Sequence, residues 1–563
     1  MEASPERPKR RSPHHQPLGI RHQHVDHNHD HDVLLDLDLD LDLDLDLDLD
    51  LTMSTTAAAS QWVSVAKRPI PPGIDPRVVA AYKKASAPGV RYLLPILRML
   101  AFHAYYVPTL LLSVPFWLLK ALLPFTRQHP QWPISRAIGV SFAKYSLRNF
   151  TRFAFQPVAP REGGLRDRAG ILATVLEVAN FSGPGGRVVP PPDSVEAQRK
   201  AARGERHDVA WFDPPPLETL TGLLSLRWGR PGQGHVSSES YHGAPLVDPA
   251  WAKARVRAFW FMAKDNTYPP QPQSSNTLAP SRPVLLYFHG GAGVTMSPGD
   301  IFMGDCLAKN LARDAGIDVF SVDYNLAPAA PFPVPILQGL GAWIYLTRVL
   351  KYRPDQIYIG GDSFGGFVTL NLARFLRLEF RGLEGEPTQA KGAEIAKGLV
   401  LFSPQLLLEH DFASRQNNQG TDIIGLWYAD WGRDAQMVGP KFVSTNKLAP
   451  NNPWLAPVYS PPIEYAKLPP LFVTNGEVEV LVDEGRELVQ RARKAGVSAE
   501  HYIDPLNVHD YMTLHGELPA ARQTYKLLNA WIQKLESQPS LNTALPVGVP
   551  PRPKELEKPK VHL

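Results

Sequence analysis

The chain has a single cysteine, Cys306, among its 563 residues. One thiol excludes an intramolecular disulfide and any metal site built from cysteines. Charge imbalance is also scarce. The formal net charge of +4 gives no warrant for a nucleic-acid partner. No apolar run stands at the N-terminus: the first long one begins at Met99, too far along for a cleavable secretory signal. What is present is globular in composition, 44% hydrophobic and 20% charged. The length suits either two to four domains or one large enzyme domain with long tails.

Residues 1–52 differ from the rest. Seven histidines lie between His14 and His31, and Leu and Asp alternate from Leu35 to Leu51. Alternation of this kind could make a one-faced strand. So many carboxylates would repel each other, however, and the segment reads as low-complexity disorder, with Met53 an alternative start. The histidines could take up a metal ion but show no fixed ligand spacing, so no metal is assigned. Between Met99 and Leu119 there are 21 residues without Lys, Arg, Asp or Glu. That run just spans a bilayer as a helix, kinked by Pro108 and Pro115. Residues 92–125 are therefore expected to anchor the chain in a membrane; the competing reading is a buried or surface-lying helix over an enzyme's apolar mouth. Basic residues flank the run on both sides, so the positive-inside rule nearly cancels. The sequons at Asn149 and Asn180 lean towards a lumenal downstream domain.

Residues 126–254 are broken by Pro-rich stretches and read as cap and connecting elements. From about residue 255 to 536 a regular pattern sets in. A strand at Arg255–Met262 is followed by apolar runs at Val284–Phe288, Asp318–Val322, Gln356–Ile359, Gly398–Phe402, Leu471–Thr474 and Glu500–Ile503. Helix-like stretches at Ile336–Leu350, Phe367–Phe380 and Asp483–Ala495 lie between them. The alternation predicts an α/β fold with a mostly parallel central sheet flanked by helices. Residues 537–563, rich in Pro and Lys, read as a disordered tail.

Two motifs carry chemistry. Gly361-Asp362-Ser363-Phe364-Gly365 follows the apolar run Ile357-Tyr358-Ile359 and precedes a helix. A serine on such a sharp strand-to-helix turn projects its hydroxyl from the sheet, and small flanking residues permit the strained backbone. His289-Gly290-Gly291-Ala292-Gly293 ends the strand Val284–Phe288. A Gly-rich turn there aims backbone N–H groups at an oxygen that becomes negative during acyl transfer.

Together these motifs resemble the hormone-sensitive-lipase-like branch of the α/β-hydrolases, with its His-Gly-Gly-Gly loop and Gly-Asp-Ser-Ala-Gly-Gly elbow. Asp323-Tyr324-Asn325-Leu326-Ala327-Pro328 is similar to that branch's Asp-Tyr-Arg-Leu-Ala-Pro signature, and the likeness covers roughly residues 255–535. This chain departs from the pattern at three places. Ala292 replaces a glycine and is expected to need a negative φ; Asn325 replaces Arg; Phe364 replaces a small residue and is expected to narrow the pocket.

The resemblance implies a base after the last strand, where His509 stands; His515 and His501 are the rivals. It maps the catalytic acid onto Glu479, leaving Asp483 to cap the next helix, with Glu477 and Glu484 as lesser rivals. The order Ser363, Glu479, His509 is that of the fold. The implied reaction is hydrolysis of a small lipophilic ester without metal or cofactor. His509 takes the Ser363 proton, and the N–H groups of Gly291, Ala292 and Phe364 hold the oxyanion while Gly290 shapes the turn. Each such donor is worth about 3 kcal/mol. An anchor preceding the hydrolase domain resembles arylacetamide deacetylase and fungal steryl acetyl hydrolase. That resemblance implies short acyl groups and the endoplasmic reticulum membrane. A non-catalytic binding protein and an acyltransferase using the same acyl-enzyme are the other classes.

Overall fold

The computed structural model describes residues 94–152, 209–225, much of 240–263, 280–383 without 328–329, 396–436 without 409–410, 452–514 and 517–538. The Leu–Asp tract, the C-terminal tail, Asn180 and His515 lie outside the described residues.

Eight strands make one sheet: β1 Val209–Phe212, β2 Val256–Phe261, β3 Val284–Phe288, β4 Asp318–Asp323, β5 Ile357–Asp362, β6 Gly398–Phe402, β7 Leu471–Gly476 and β8 Ala499–Asp504, in the spatial order β1-β2-β4-β3-β5-β6-β7-β8. The six strands from β3 onward are parallel, while β2 runs antiparallel to both β1 and β4. The predicted mostly parallel sheet is therefore the observed one. Central strands such as Val-Leu-Leu-Tyr-Phe are apolar at every position because both faces are covered.

Among the described residues the longer helices are α1 Leu94–Leu122, α2 Ile134–Arg152, α3 Lys309–Ala315, α4 Val334–Ile344, α5 Phe364–Leu378, α6 Leu426–Gln436, α7 Val482–Lys494 and α8 Leu518–Glu536. Alternate side chains of each strand reach opposite layers. Leu286 and Phe288 join Ile359, Leu401 and Val473 under α4, α5 and α7. Leu285 and Tyr287 join Tyr358, Val400 and Phe472 under α3 and α8. In α7 the buried Val482, Leu488, Val489 and Ala492 make a helical stripe, and Arg491, Arg493 and Lys494 in its last turn oppose the negative end of the helix dipole.

Two boundaries differ from expectation instructively. β5 runs on to Asp362 and α5 begins at Phe364, leaving Ser363 as the whole turn. The predicted start of α5 at Phe367 was late because two glycines look like loop. Helix α7 starts at Val482, so Asp483 sits inside its first turn and makes no capping bond. Its carboxylate instead accepts from the Ser414 N–H and from Arg486.

Candidate active site

Ser363 sits between β5 and α5 with φ 51° and ψ −119°, a conformation costly for any residue with a Cβ. The surroundings hold it there. Its N–H donates to Phe402 O at 2.9 Å, and its carbonyl accepts from Gly366 and Gln405, both at 2.9 Å. The flanking glycines are needed for close approach. A Cβ on Gly365 would lie 1.9 Å from Phe288 O, and one on Gly361 would lie 2.5 Å from Gly365 C. The turn thus threads between the ends of two neighbouring strands, and the Ser363 hydroxyl stands above the sheet.

The Gly-rich loop lies beside it. Gly290 N–H donates to Asp362 Oδ2 at 2.9 Å, and Tyr287 Oη donates to Asp362 Oδ1 at 2.8 Å. The residue preceding the serine therefore braces the loop. Burial first, then the neighbouring Asp510, pushes the Asp362 carboxyl well above the usual range. Gly290 N–H is committed to this bond and shapes the turn. By contrast, among the described residues the N–H groups of Gly291, Ala292 and Phe364 donate to no protein acceptor.

Ala292 corrects an expectation. Its φ is +56°, in line with Gly291 at +92° and Gly293 at +66°, so three successive residues are left-handed. The alanine is accommodated because its Cβ packs against Gly432 of α6, where a second Cβ would lie 2.7 Å away. Phe364 is 1% exposed, with its ring stacked on Phe367 at 5.3 Å and set against Gly293 of the Gly-rich loop. Asn325 is buried and its N–H donates to Gln338 Oε1 at 2.7 Å.

His509 Nε2 lies 3.0 Å from Ser363 Oγ and also 3.0 Å from Asp510 Oδ2. The serine and the histidine are thus brought together as expected, both almost fully buried. The expected bond from Glu479 is not formed among the described residues, and His509 Nδ1 is buried without a partner. Glu479 is fully buried in the same pocket, but its oxygens accept from Ser403 Oγ at 2.7 Å, Gly476 N–H at 2.8 Å and Asn475 Nδ2. Burial raises its carboxyl to about 8, against the pull of His509. For His509 burial favours the neutral ring, but Asp510, then Glu479 and Asp422, outweigh burial and raise it to about 10.

The rivals fall elsewhere. His501 lies in β8 with Nε2 2.9 Å from Asn475 Oδ1 and is pushed down to about 4, chiefly by burial. Glu477 pairs with exposed Arg486, and Glu484 is locked in a buried pair with Arg415.

Three residues escaped the sequence reading. Asp422 accepts from the backbone N–H of His509 at 2.9 Å and of Val480 at 2.7 Å, tying the histidine loop to the Glu479 turn. Ser403 donates to Glu479 and accepts from Asp510 N–H at 3.2 Å. Asp510, at φ 46°, places its carboxylate on His509 Nε2 beside the serine hydroxyl. None belongs to a spaced motif. For Asp510 alone there was a signal, an acid adjoining the chosen base.

Residues 285–513 match a protein family described as an alpha/beta hydrolase fold. The carboxylic ester hydrolase LipN of Mycobacterium tuberculosis is 26% identical over 237 residues, 41% of this chain and 58% of LipN. An acetyl-hydrolase of Streptomyces hygroscopicus is 26% identical over 250 residues, covering 44% of this chain and 75% of its own. A hormone-sensitive lipase from a metagenome library aligns in structure at TM-score 0.39 and 25% identity, over 50% of this chain and 82% of its own. The chain spans little more than half the length of LipN. It carries an α/β-hydrolase domain, as the resemblance read from its motifs implied.

Proposed function

With an α/β-hydrolase domain at residues 285–513 as the premise, we propose that this chain is a serine ester hydrolase in which Ser363 is the nucleophile and His509 the general base. The observation that carries the reading is the 3.0 Å contact between His509 Nε2 and Ser363 Oγ, on a turn held at φ 51°. Ser363 Oγ attacks the ester carbonyl as its proton passes to His509 Nε2. The N–H groups of Gly291, Ala292 and Phe364 receive the oxyanion, each worth about 3 kcal/mol of barrier. The imidazolium then returns the proton to the leaving alcohol, and water activated by the same ring releases the acid from the acyl-enzyme. Glu479 holds the charged ring by its field and, through Ser403, holds the histidine loop.

The substrate we assign is a short acyl group, acetyl in the first instance, on a lipophilic alcohol, at the endoplasmic reticulum membrane. The acetyl-hydrolase relative supports the acetyl group and the apolar helix Leu100–Leu122 supports a membrane, while the endoplasmic reticulum rests on the family resemblance alone. A lumenal domain loses one of its two supports. Asn149 is buried within α2 and donates to Tyr145 O at 2.9 Å, so its sequon offers no acceptor in the folded chain.

The test is hydrolysis of a p-nitrophenyl ester series by the full chain beside Ser363→Ala. The reading expects activity on short chains that vanishes in the variant. A folded wild type inactive on every chain length would favour the non-catalytic class, and product transfer to added alcohol in preference to water would favour the acyltransferase.

A further inference from the structure

The apolar helix α1 does not stand away from the catalytic domain. Its covered stripe is Phe102, Tyr106, Thr109, Ser113, Trp117 and Ala121, spaced three or four apart along one face. This stripe lies on α2. Tyr106 Oη is 2.7 Å from Ser146 Oγ, Thr109 Oγ1 bonds Tyr145 Oη, and the Trp117 ring meets Tyr145 edge-on at 5.4 Å. Helix α2 is in turn fastened to the hydrolase body. Arg136 pairs with Glu517, Lys144 bonds Gln419 O, and just before α2 Trp132 Nε1 donates to Leu506 O at 2.8 Å.

These contacts decide between spanning and lying flat. At 1.5 Å per residue α1 is about 43 Å long, enough to cross a bilayer by length alone. Crossing would take α2 with it, and with α2 the half-buried Arg136–Glu517 pair and the body surface around Gln419. Charged and polar groups at mid-bilayer cost several kcal/mol each. The opposite face of α1 is nevertheless uncovered and apolar: Leu111, Leu112, Phe116 and Leu119 are each more than 60% exposed, and Phe125 beyond the helix is 80% exposed. Nor does any acidic residue occur from Leu94 to Arg152, whereas Arg98, Lys120, Arg127, Arg136, Lys144, Arg148 and Arg152 are all basic. An apolar face set in a wholly basic hairpin matches the interfacial region of an anionic leaflet, and no protein surface is needed to explain both features.

The same hairpin reaches the candidate site. Ala121, Trp132, Ala137 and Val140 share one apolar cluster with Ala292 of the Gly-rich loop and Val508 beside His509. Trp132 also holds the carbonyl of Leu506 in the loop that carries the histidine.

We propose that α1 and α2 form a monotopic insertion surface. In this arrangement α1 lies in one leaflet containing anionic phospholipid, and its C-terminal end roofs the Ser363 site so that lipophilic esters enter from the membrane. The substrate part rests on the esterase reading, whereas the membrane part is tested without catalysis.

The experiment uses full-length protein carrying Ser363→Ala, added to sealed vesicles of phosphatidylcholine with or without phosphatidylserine. The protein is expected to float with the vesicles, more strongly when phosphatidylserine is present. Leu112→Asp with Phe116→Asp should reduce binding about tenfold or more, while in the Ser363 background the same pair should leave hydrolysis of a water-soluble ester unchanged. With Cys306→Ala as background, Arg98→Cys and Gln131→Cys, on either side of the apolar run Leu100–Leu122, should both react with an impermeant maleimide added outside. Labelling of only one of the two would overturn the flat arrangement in favour of a span. Absent flotation, or flotation indifferent to the aspartates or to phosphatidylserine, would overturn the insertion surface itself.

Discussion

Replacing Asp510 by Asn should make the enzyme work at lower pH. His509 Nε2 has two neighbours at 3.0 Å, the serine hydroxyl and the Asp510 carboxylate. The groups that face this ring are Ser363, Asp510, Glu479 and Asp422. Burial disfavours the imidazolium, but the three carboxylates outweigh burial and raise the ring to about 10, with Asp510 the largest contributor among them. A base must be neutral to take the serine proton, so at neutral pH only a small fraction of the resting enzyme is competent. An opposite charge in such contact moves a titration by roughly 1–3 pH units. Its removal should therefore bring the acid limb of the kcat/KM profile down by about two. Below both midpoints the rate then rises about a hundredfold, provided the serine contact is kept. The same change carries a stability signature. A ring raised in the folded state contributes stability that is fully present below about 6.5, its unfolded value, and lost as pH climbs through about 10. Asp510→Asn should thus lower Tm relative to wild type in acid and converge with it above pH 10. The assay is kcat/KM for a p-nitrophenyl ester across pH, read as release of product against a no-enzyme control, with parallel melts. A limb that stays in place or moves upward refutes the claim that Asp510 holds the proton on Nε2.

Glu479→Gln keeps the shape but replaces the carboxyl that accepts from Ser403, Asn475 and Gly476 beside His509. By analogy with other triads, kcat should fall by about a hundredfold or more, with circular dichroism unchanged; full activity would place the acid elsewhere. Gly365→Ala sets a Cβ 1.9 Å from Phe288 O, where neither backbone can yield. It should cost about 3 kcal/mol or more in denaturant melts, and a wild-type melt would contradict the close approach. Gly432→Ala drives a methyl towards Ala292 Cβ. Activity should drop while Tm moves little, because the loop shifts before the core does. Restoring room with Ala292→Gly in the same chain should recover the rate, and failure to do so would separate Gly432 from the oxyanion loop.

Much of this was legible in the residues. β3 and β6 are continuous apolar runs, and β4 and β5 carry shorter ones, because both faces of a parallel sheet are covered, and that signal survives in one sequence. The serine turn and the Gly-rich loop were legible because close backbone approach admits so few residue types. His509 was found from its place after the last strand, and its contact with Ser363 then followed. The Ser363 turn and the α/β architecture were thus written in local residue types and their order. Tertiary structure alone decided what depended on neighbours distant in the chain. It made room for the Ala292 Cβ by placing Gly432 beneath it, and it buried Phe364 in the core. It spent the Glu479 oxygens on Ser403, Asn475 and Gly476, and it brought Asp422 under the histidine loop. It also laid α1 along α2 against the domain, where the sequence showed only an apolar length sufficient to cross a bilayer. Length and hydropathy belong to the segment itself, but direction comes from the side chains it packs against, and those lie some forty residues away.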